Sequence, residues 1–227
     1  MRRIVLDTET TGLNPEMGHR VIEIGAVEVM NRRATGRTFH FYLNPDREID
    51  AGAVEVHGLT TDFLADKPHF EDIAEEFLGF ISEAELVIHN APFDVGFLNA
   101  ELRRLNAADD LKGHCGGVLD TLKMAKDLHP GQKNNLDALC RRYEVDNSGR
   151  AYHGALLDAQ LLAEVYLAMT RGQESLAIES VLTPPPLTYR MDALAGVKVL
   201  RASAFELEEH QAYLEKMSKD CGQPFNW

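Results

Sequence analysis

The sequence has little cysteine, no long apolar run and a deficit of positive charge, and each shortage removes a class of protein. Three cysteines in 227 residues, Cys115, Cys140 and Cys221, are odd in number and widely spaced, with no Cys-x-x-Cys pair. That argues against a disulfide framework or a zinc knuckle and fits reduced thiols in a cytosolic protein. No segment approaches the apolar length that spans a bilayer, and Met1-Arg2-Arg3 runs straight into a strand pattern without a signal peptide. A cytoplasmic location is the expectation. Lys and Arg number 23 against 36 Asp and Glu, a net charge of −13. Unaided binding to duplex DNA or RNA through phosphate neutralisation is therefore disfavoured. A nucleic-acid enzyme of this charge could hold its substrate through divalent ions or rely on a basic partner to deliver it. No internal repeat is visible. What is present is ordinary for a soluble globular chain, 44% hydrophobic and 26% charged, long enough for one large domain or a smaller one with an appendage.

The chain opens on the stretch around which the rest is arranged. Ile4-Val5-Leu6 reads as a buried strand, and Asp7 and Glu9 follow it before a turn at Gly12. Strand residues i and i+2 share a face, so the two acids project into one small volume. Two anions side by side repel, a conflict that a cation between them resolves. Solvated acids at a strand end are the plainer alternative, and on this stretch alone the better one.

Val21 to Val29 predicts a second strand, and Asn31-Arg32-Arg33 a hairpin into a third, Thr38 to Leu43, ending at Asn44-Pro45. Three strands in quick succession suggest an antiparallel meander. Apolar residues at helical spacing then predict a helix from Phe70 to Ile81. Leu86-Val87-Ile88 is a short strand leading to His89-Asn90-Ala91-Pro92-Phe93-Asp94 and a helix from about Val95 to Leu105. A last strand at Gly116 to Thr121 precedes helices at Leu136 to Tyr143 and Ala155 to Met169. The expectation is an α/β fold with a mixed five-stranded sheet flanked by helices. Beyond Thr170 the pattern changes. Thr183-Pro184-Pro185-Pro186 is a stiff spacer, and residues 187–227 offer only one strand-like run at Val197–Leu200 and a helix from Phe205 to Met217. That is too little apolar material for a separate core, so a tail that folds on a partner is expected.

Two further acids stand out. Asp94 sits where a strand passes into a helix, a place where Asp often serves only as an N-cap. Asp158 lies in a helix among Ala155, Leu156, Leu157, Leu161 and Leu162, and Asp on an apolar helical face needs a partner. Together with Asp7-Thr8-Glu9-Thr10-Thr11-Gly12, the stretches His89 to Asp94 and His153-Gly154-Ala155-Leu156-Leu157-Asp158 resemble the three motifs of the DEDD exonucleases, in that family's order and in its histidine branch. Val56-His57-Gly58-Leu59, Asn135 to Cys140 and Asp158-Ala159-Gln160 extend the likeness to the proofreading exonuclease subunits of bacterial DNA polymerase III. The resemblance is strong over residues 1–170 and weaker in the tail.

The resemblance implies an RNase H-like fold and metal-dependent 3′→5′ removal of nucleotides from single-stranded or frayed DNA ends. Phosphodiester hydrolysis needs an in-line nucleophile and neutralised phosphoryl charge, which two divalent ions supply together. Hard oxygen ligands suit Mg²⁺ or Mn²⁺. By the same resemblance Asp7 bridges both ions, Glu9 and Asp158 help hold the one that carries the attacking water, and Asp94 serves the second through ordered water. His153 takes the proton, a role suited to a side chain titrating near neutrality. His153 precedes Asp158 by five residues, whereas the tyrosine branch places its Tyr four before the Asp. Tyr152 is accordingly a neighbour and not the catalytic group. The substrate is expected against Asp7, Glu9, Thr10, His57 and Asp158, although Gly52 stands where the family's pattern has an acid. His89 and Asn90 are read as structural, fixing the loop that carries Asp94.

Three segments are implied: an exonuclease domain at 1–171, a linker at 172–186 and a polymerase-binding tail at 187–227. Within the linker Gln173, Leu176 and Ile178 resemble the short peptides that dock on a sliding clamp. Implied partners are the polymerase's catalytic (alpha) subunit, the clamp and a small theta-like accessory subunit. A 3′→5′ exoribonuclease of the same family and a non-catalytic polymerase adaptor are the alternatives.

Overall fold

Ile4, Val5 and Leu6 expose no surface, and the strand they begin, β1 (Arg2–Thr10), is the middle of the sheet. The structure, a computed structural model, describes residues 1–107, 109–149, 152–171 and 201–221. The chain divides into two units, Met1–Ser175 and Leu176–Trp227. In the first, β2 (Val21–Met30), β3 (Arg33–Tyr42), β4 (Glu85–Ile88) and β5 (Gly117–Asp120) join β1 in the order β3-β2-β1-β4-β5. The β1–β2 and β2–β3 pairs are antiparallel and the β1–β4 and β4–β5 pairs parallel, so the sheet is mixed and five-stranded as the sequence predicts. Around it run α1 (Ala51–His57), α2 (Thr61–Leu64), α3 (Phe70–Ile81), α4 (Ala91–Arg104), α5 (Thr121–Leu128), α6 (Leu136–Tyr143) and α7 (Ala155–Met169).

The two faces of the sheet bury different sets of side chains. Even-numbered Ile4 and Leu6 pack with Phe70, Phe77, Phe97 and Leu98 from α3 and α4. Odd-numbered Val5 packs with Val27, Val87, Leu162 and Tyr166 beneath α7. Period-2 alternation along β1 thus assigns each residue to one helical layer. At the opposite end of the sheet from the acids, Arg2 and Arg37 reach the buried Glu28 at 2.7 and 3.1 Å and tie three strands together.

Several boundaries differ from the sequence reading. The hairpin turns on Asn31 and Arg32, both at positive φ (49° and 63°), so β3 begins at Arg33 and not at Thr38. Its first half is exposed, which removes the alternation that marks a half-buried strand. Helix α4 begins at Ala91, four residues early, with Pro92 in its first turn, where a missing N–H costs nothing. Its cap is Asn90, so Asp94 is free of the capping role the sequence allowed it. Short helices α1, α2 and α5 were not anticipated. No helix among the described residues is long and apolar enough to cross a membrane.

In the second unit the described residues contain α8 (Ala204–Cys221), where a helix was expected. Ser203 and Glu206 cap its start reciprocally. The run Val197–Leu200 and the proline spacer lie outside the described residues.

Candidate active site

Asp7 and Glu9 continue the odd-numbered face of β1, the face that carries α7. The β1–β2 register sets Gly25 opposite Asp7 and Glu23 opposite Glu9, then slips at Glu9/Thr10 so that Thr10 faces Val21. A bulge at this point ends the regular pairing and re-aims the chain towards the turn at Gly12, as bulges beside functional sites commonly do. Gly25 decides how close the next element can come. A Cβ there would lie 2.1–2.4 Å from the backbone of Ala155 and Leu156. Only a residue without a side chain lets the first turn of α7 rest on the strand.

That approach delivers Asp158, 3% exposed in the first turn of α7. Ligand atoms of Glu9, His153 and Asp158 all lie within 4.8 Å of one another. His153 Nδ1 is 3.3 Å from Asp158 Oδ2. The backbone N–H of His153 donates to the carbonyl of Val56 at 3.1 Å, which docks the loop before α7 onto the last turn of α1. Tyr152 lies against Gly58, where an added Cβ would stand 3.3 Å from its ring, so its place is at the helix end beside His153.

Asp94 approaches from the other layer. It is 3% exposed, and its Oδ1 accepts hydrogen bonds from the Thr8 backbone N–H at 3.1 Å and the Thr8 hydroxyl at 2.7 Å. Burial pushes this carboxyl up to about 7, against the two hydrogen bonds that favour its ionised form. The loop that carries it is fixed at both preceding residues. Asn90 holds a left-handed conformation (φ 66°), and its N–H donates to Asp120 Oδ1 at 3.2 Å. His89 Nδ1 lies 3.0 Å from the Thr121 hydroxyl, which itself donates to the Ile88 carbonyl. Burial holds the His89 imidazole below its usual pKa.

Beside the cluster is a cavity of about 480 Å³, within the range of small-ligand sites. One wall is Thr8, Glu9, Thr10 and Gly12; the other is α1, with Gly52, Val56 and His57, and Phe93 closes an end. His57 is 5% exposed and its Nδ1 accepts from the Leu59 N–H at 3.0 Å, so the proton of the neutral ring is on Nε2. Nε2 is buried, the Thr10 backbone is the ring's other polar neighbour, and burial lowers the ring's pKa. Gly52 has nothing within 4 Å of where a Cβ would be, so this wall is open. Thr11 is fully buried behind the turn, its hydroxyl 3.1 Å from His19 Nδ1.

The structure thus collects Glu9, His153 and Asp158, leaves Asp7 beside them in the same row of the sheet, and holds Asp94 across β1 against Thr8. A donor set of carboxylates and one imidazole without thiolate fits a hard divalent cation. Sequence reasoning missed Gly25 and Thr8. The first carried a signal, a glycine inside an otherwise buried strand; the second had none, because its partner is 86 residues away. Gln173, Leu176 and Ile178 lie outside the described residues.

With this geometry established, the likeness to known proteins has a physical meaning. The family described as Exonuclease (RNase_T) matches residues 4–166. DNA polymerase III subunit epsilon of Rickettsia felis is 48% identical over 96% of this chain and 98% of its own length. The corresponding subunit of Escherichia coli is 48% identical over 97% of this chain and 95% of its own. Among solved structures, exonuclease X in complex with 5′-overhanging duplex DNA superposes with a TM-score of 0.60 at 26% identity, over 75% of this chain and 92% of that one. Exonuclease I, at 18% identity and a TM-score of 0.65, covers 75% of this chain and 41% of its own, and shares the RNase H-like fold.

Proposed function

The chain belongs to the exonuclease family, and from that membership we propose that it proofreads DNA synthesis as a subunit of a bacterial DNA polymerase III, removing nucleotides 3′→5′. The observation that carries this reading is the convergence of Glu9, His153 and Asp158 within 4.8 Å beside a cavity of nucleotide size. Two divalent ions, Mg²⁺ or Mn²⁺, would supply charge neutralisation at the phosphoryl group and a more acidic water.

The protein's own groups divide the remaining work. Asp7, Glu9 and Asp158 would hold the ions from the α7 face of β1. Asp94, with Oδ1 committed to Thr8, would serve the second ion from the opposite face, through ordered water. His153 Nδ1 lies 3.3 Å from Asp158 Oδ2, which would orient the ring and leave Nε2 to accept the proton of the attacking water. His57, in the wall of the cavity, would contact the terminal nucleotide, which would lie along the backbone of Thr8 and Thr10. An unpaired 3′ end reaches this cavity at lower cost than a paired one, so mispairs would be selected by fraying. The net charge of −13 leaves most DNA affinity to the polymerase.

We extend the proposal to the tail. Residues 187–227, which include α8 with exposed Phe205, Leu207 and Tyr213, would bind the polymerase catalytic (alpha) subunit. Gln173, Leu176 and Ile178 would engage the sliding clamp. The test of the catalytic reading is digestion of matched single-stranded DNA and RNA oligonucleotides with Mg²⁺ or Mn²⁺. DNA should be degraded from its 3′ end, with Asp7→Ala and His153→Ala slowing it about 10²-fold or more. Faster digestion of RNA would favour an RNA-trimming nuclease. Equal background rates for wild type and Asp7→Ala would leave only an adaptor role.

A further inference from the structure

Glu23 is a buried carboxylate that the proposed mechanism does not use. It is 2% exposed on β2, directly opposite Glu9 in the register. On the far side of Glu23 stands β3, with Tyr42 as its register partner and His40 Nε2 2.8 Å from Glu23 Oε1. The three strands therefore present Glu9, Glu23 and Tyr42 in one row on one face, with His40 in the next row, opposite Gly25. The other buried glutamates outside the cluster have arginine partners. Glu28 meets Arg2 and Arg37, and Glu101 meets Arg20 through both carboxylate oxygens. Glu23 has instead a half-exposed imidazole and the Tyr42 hydroxyl.

Directly opposed residues on antiparallel strands have Cβ atoms about 4.5–5.5 Å apart, and like charges in such a pair destabilise it. Of the two opposed acids, Glu23 is held back by His40 and Tyr42. Glu9 is the one that reaches towards Asp158 and His153. We propose that Glu23 is a positioning residue, which turns Glu9 towards Asp158 and adds negative potential that strengthens divalent-ion binding at the site. It acts through Glu9 and is not itself a ligand. In the metal-free protein the pair is a source of instability; with the ion present the same charge favours the loaded state.

The inference rests on the metal-site reading, and one set of measurements separates the two. Mn²⁺ binding to the full chain without DNA is followed by calorimetry for wild type, Glu23→Gln, Glu23→Asp and Asp158→Asn. The melting temperature of each is taken in a chelator. Glu23→Gln should weaken Mn²⁺ binding about tenfold, the order seen for groups that support metal ligands, while its metal-free melting temperature stays level or rises. Glu23→Asp should recover most of the affinity. Mn²⁺ affinity within twofold of wild type for Glu23→Gln, with Asp158→Asn defective, would overturn the inference and leave the site standing. A metal-free melting temperature that falls together with affinity would assign Glu23 a packing role and also overturn it. Unchanged binding by Asp158→Asn would remove the metal site itself and the inference with it.

Discussion

Asp94 shows how one residue's surroundings become a measurable property. Its carboxyl is raised from 3.8 to about 7 because burial penalises the anion more than Thr8 stabilises it. A folded-state value above the unfolded one means the folded chain binds the proton more tightly. The stability this contributes is complete below about pH 3.8 and is lost as pH rises through about 7. Metal-free Asp94→Asn, which keeps an oxygen for Thr8 to donate to, should therefore melt higher than wild type at pH 8, with the gap closing towards pH 4. The ceiling is about 4 kcal/mol, and each kcal/mol corresponds to about 2–4 °C in a domain of this size. Divalent ions should raise the melting temperature of wild type more than that of the variant, because binding to the native state stabilises it. A gap that widens on acidification would refute the buried-anion account. In the sequence Asp94 was legible as a candidate, but its environment was not, since nothing near it in the chain announces Thr8.

At the scale of elements, Phe70–Ile81 is legible because its apolar residues recur at helical spacing, and Ile4–Leu6 because a short apolar run before a turn reads as a buried strand. The short helices were not, and α1 shows why. It is seven residues long with Gly52 in its first turn and no side-chain cap, so neither propensity nor periodicity marks it. Helix α5 has a readable cap, since Asp120 accepts from both Leu122 and Lys123, yet the strand pattern runs through it to Thr121 and hides the start of the helix. Gly25 is the case where one residue governs two elements. Gly25→Ala must push α7 off β2, because the new carbon would overlap the Ala155 and Leu156 backbone. A loss of about 1–3 kcal/mol is expected from overpacking, visible as a lower melting temperature. Exonuclease activity measured well below that temperature should fall about 10²-fold, since a shift near 1 Å in a catalytic group costs that much. Wild-type activity from a folded Gly25→Ala protein would show that the α7 contact does not position Asp158.

For the whole molecule, the acidic balance and the partition of the chain bear on where the nuclease works. Deleting residues 187–227 should abolish co-purification with the polymerase catalytic subunit and leave hydrolysis of short single-stranded DNA intact. Loss of both would deny that the tail and the nuclease are separable. The strand at the centre of the sheet is made before its four partners, while Asp158 and the α7 turn that seats on Gly25 follow all five strands. Half of the cluster is thus made some 150 residues before the other half. A nascent or prematurely terminated chain carries Asp7 and Glu9 without His153 and Asp158, and should digest no DNA. Order of synthesis itself then keeps the two halves of the site apart until all five strands are made, and a chain ended before His153 that degraded DNA would contradict this.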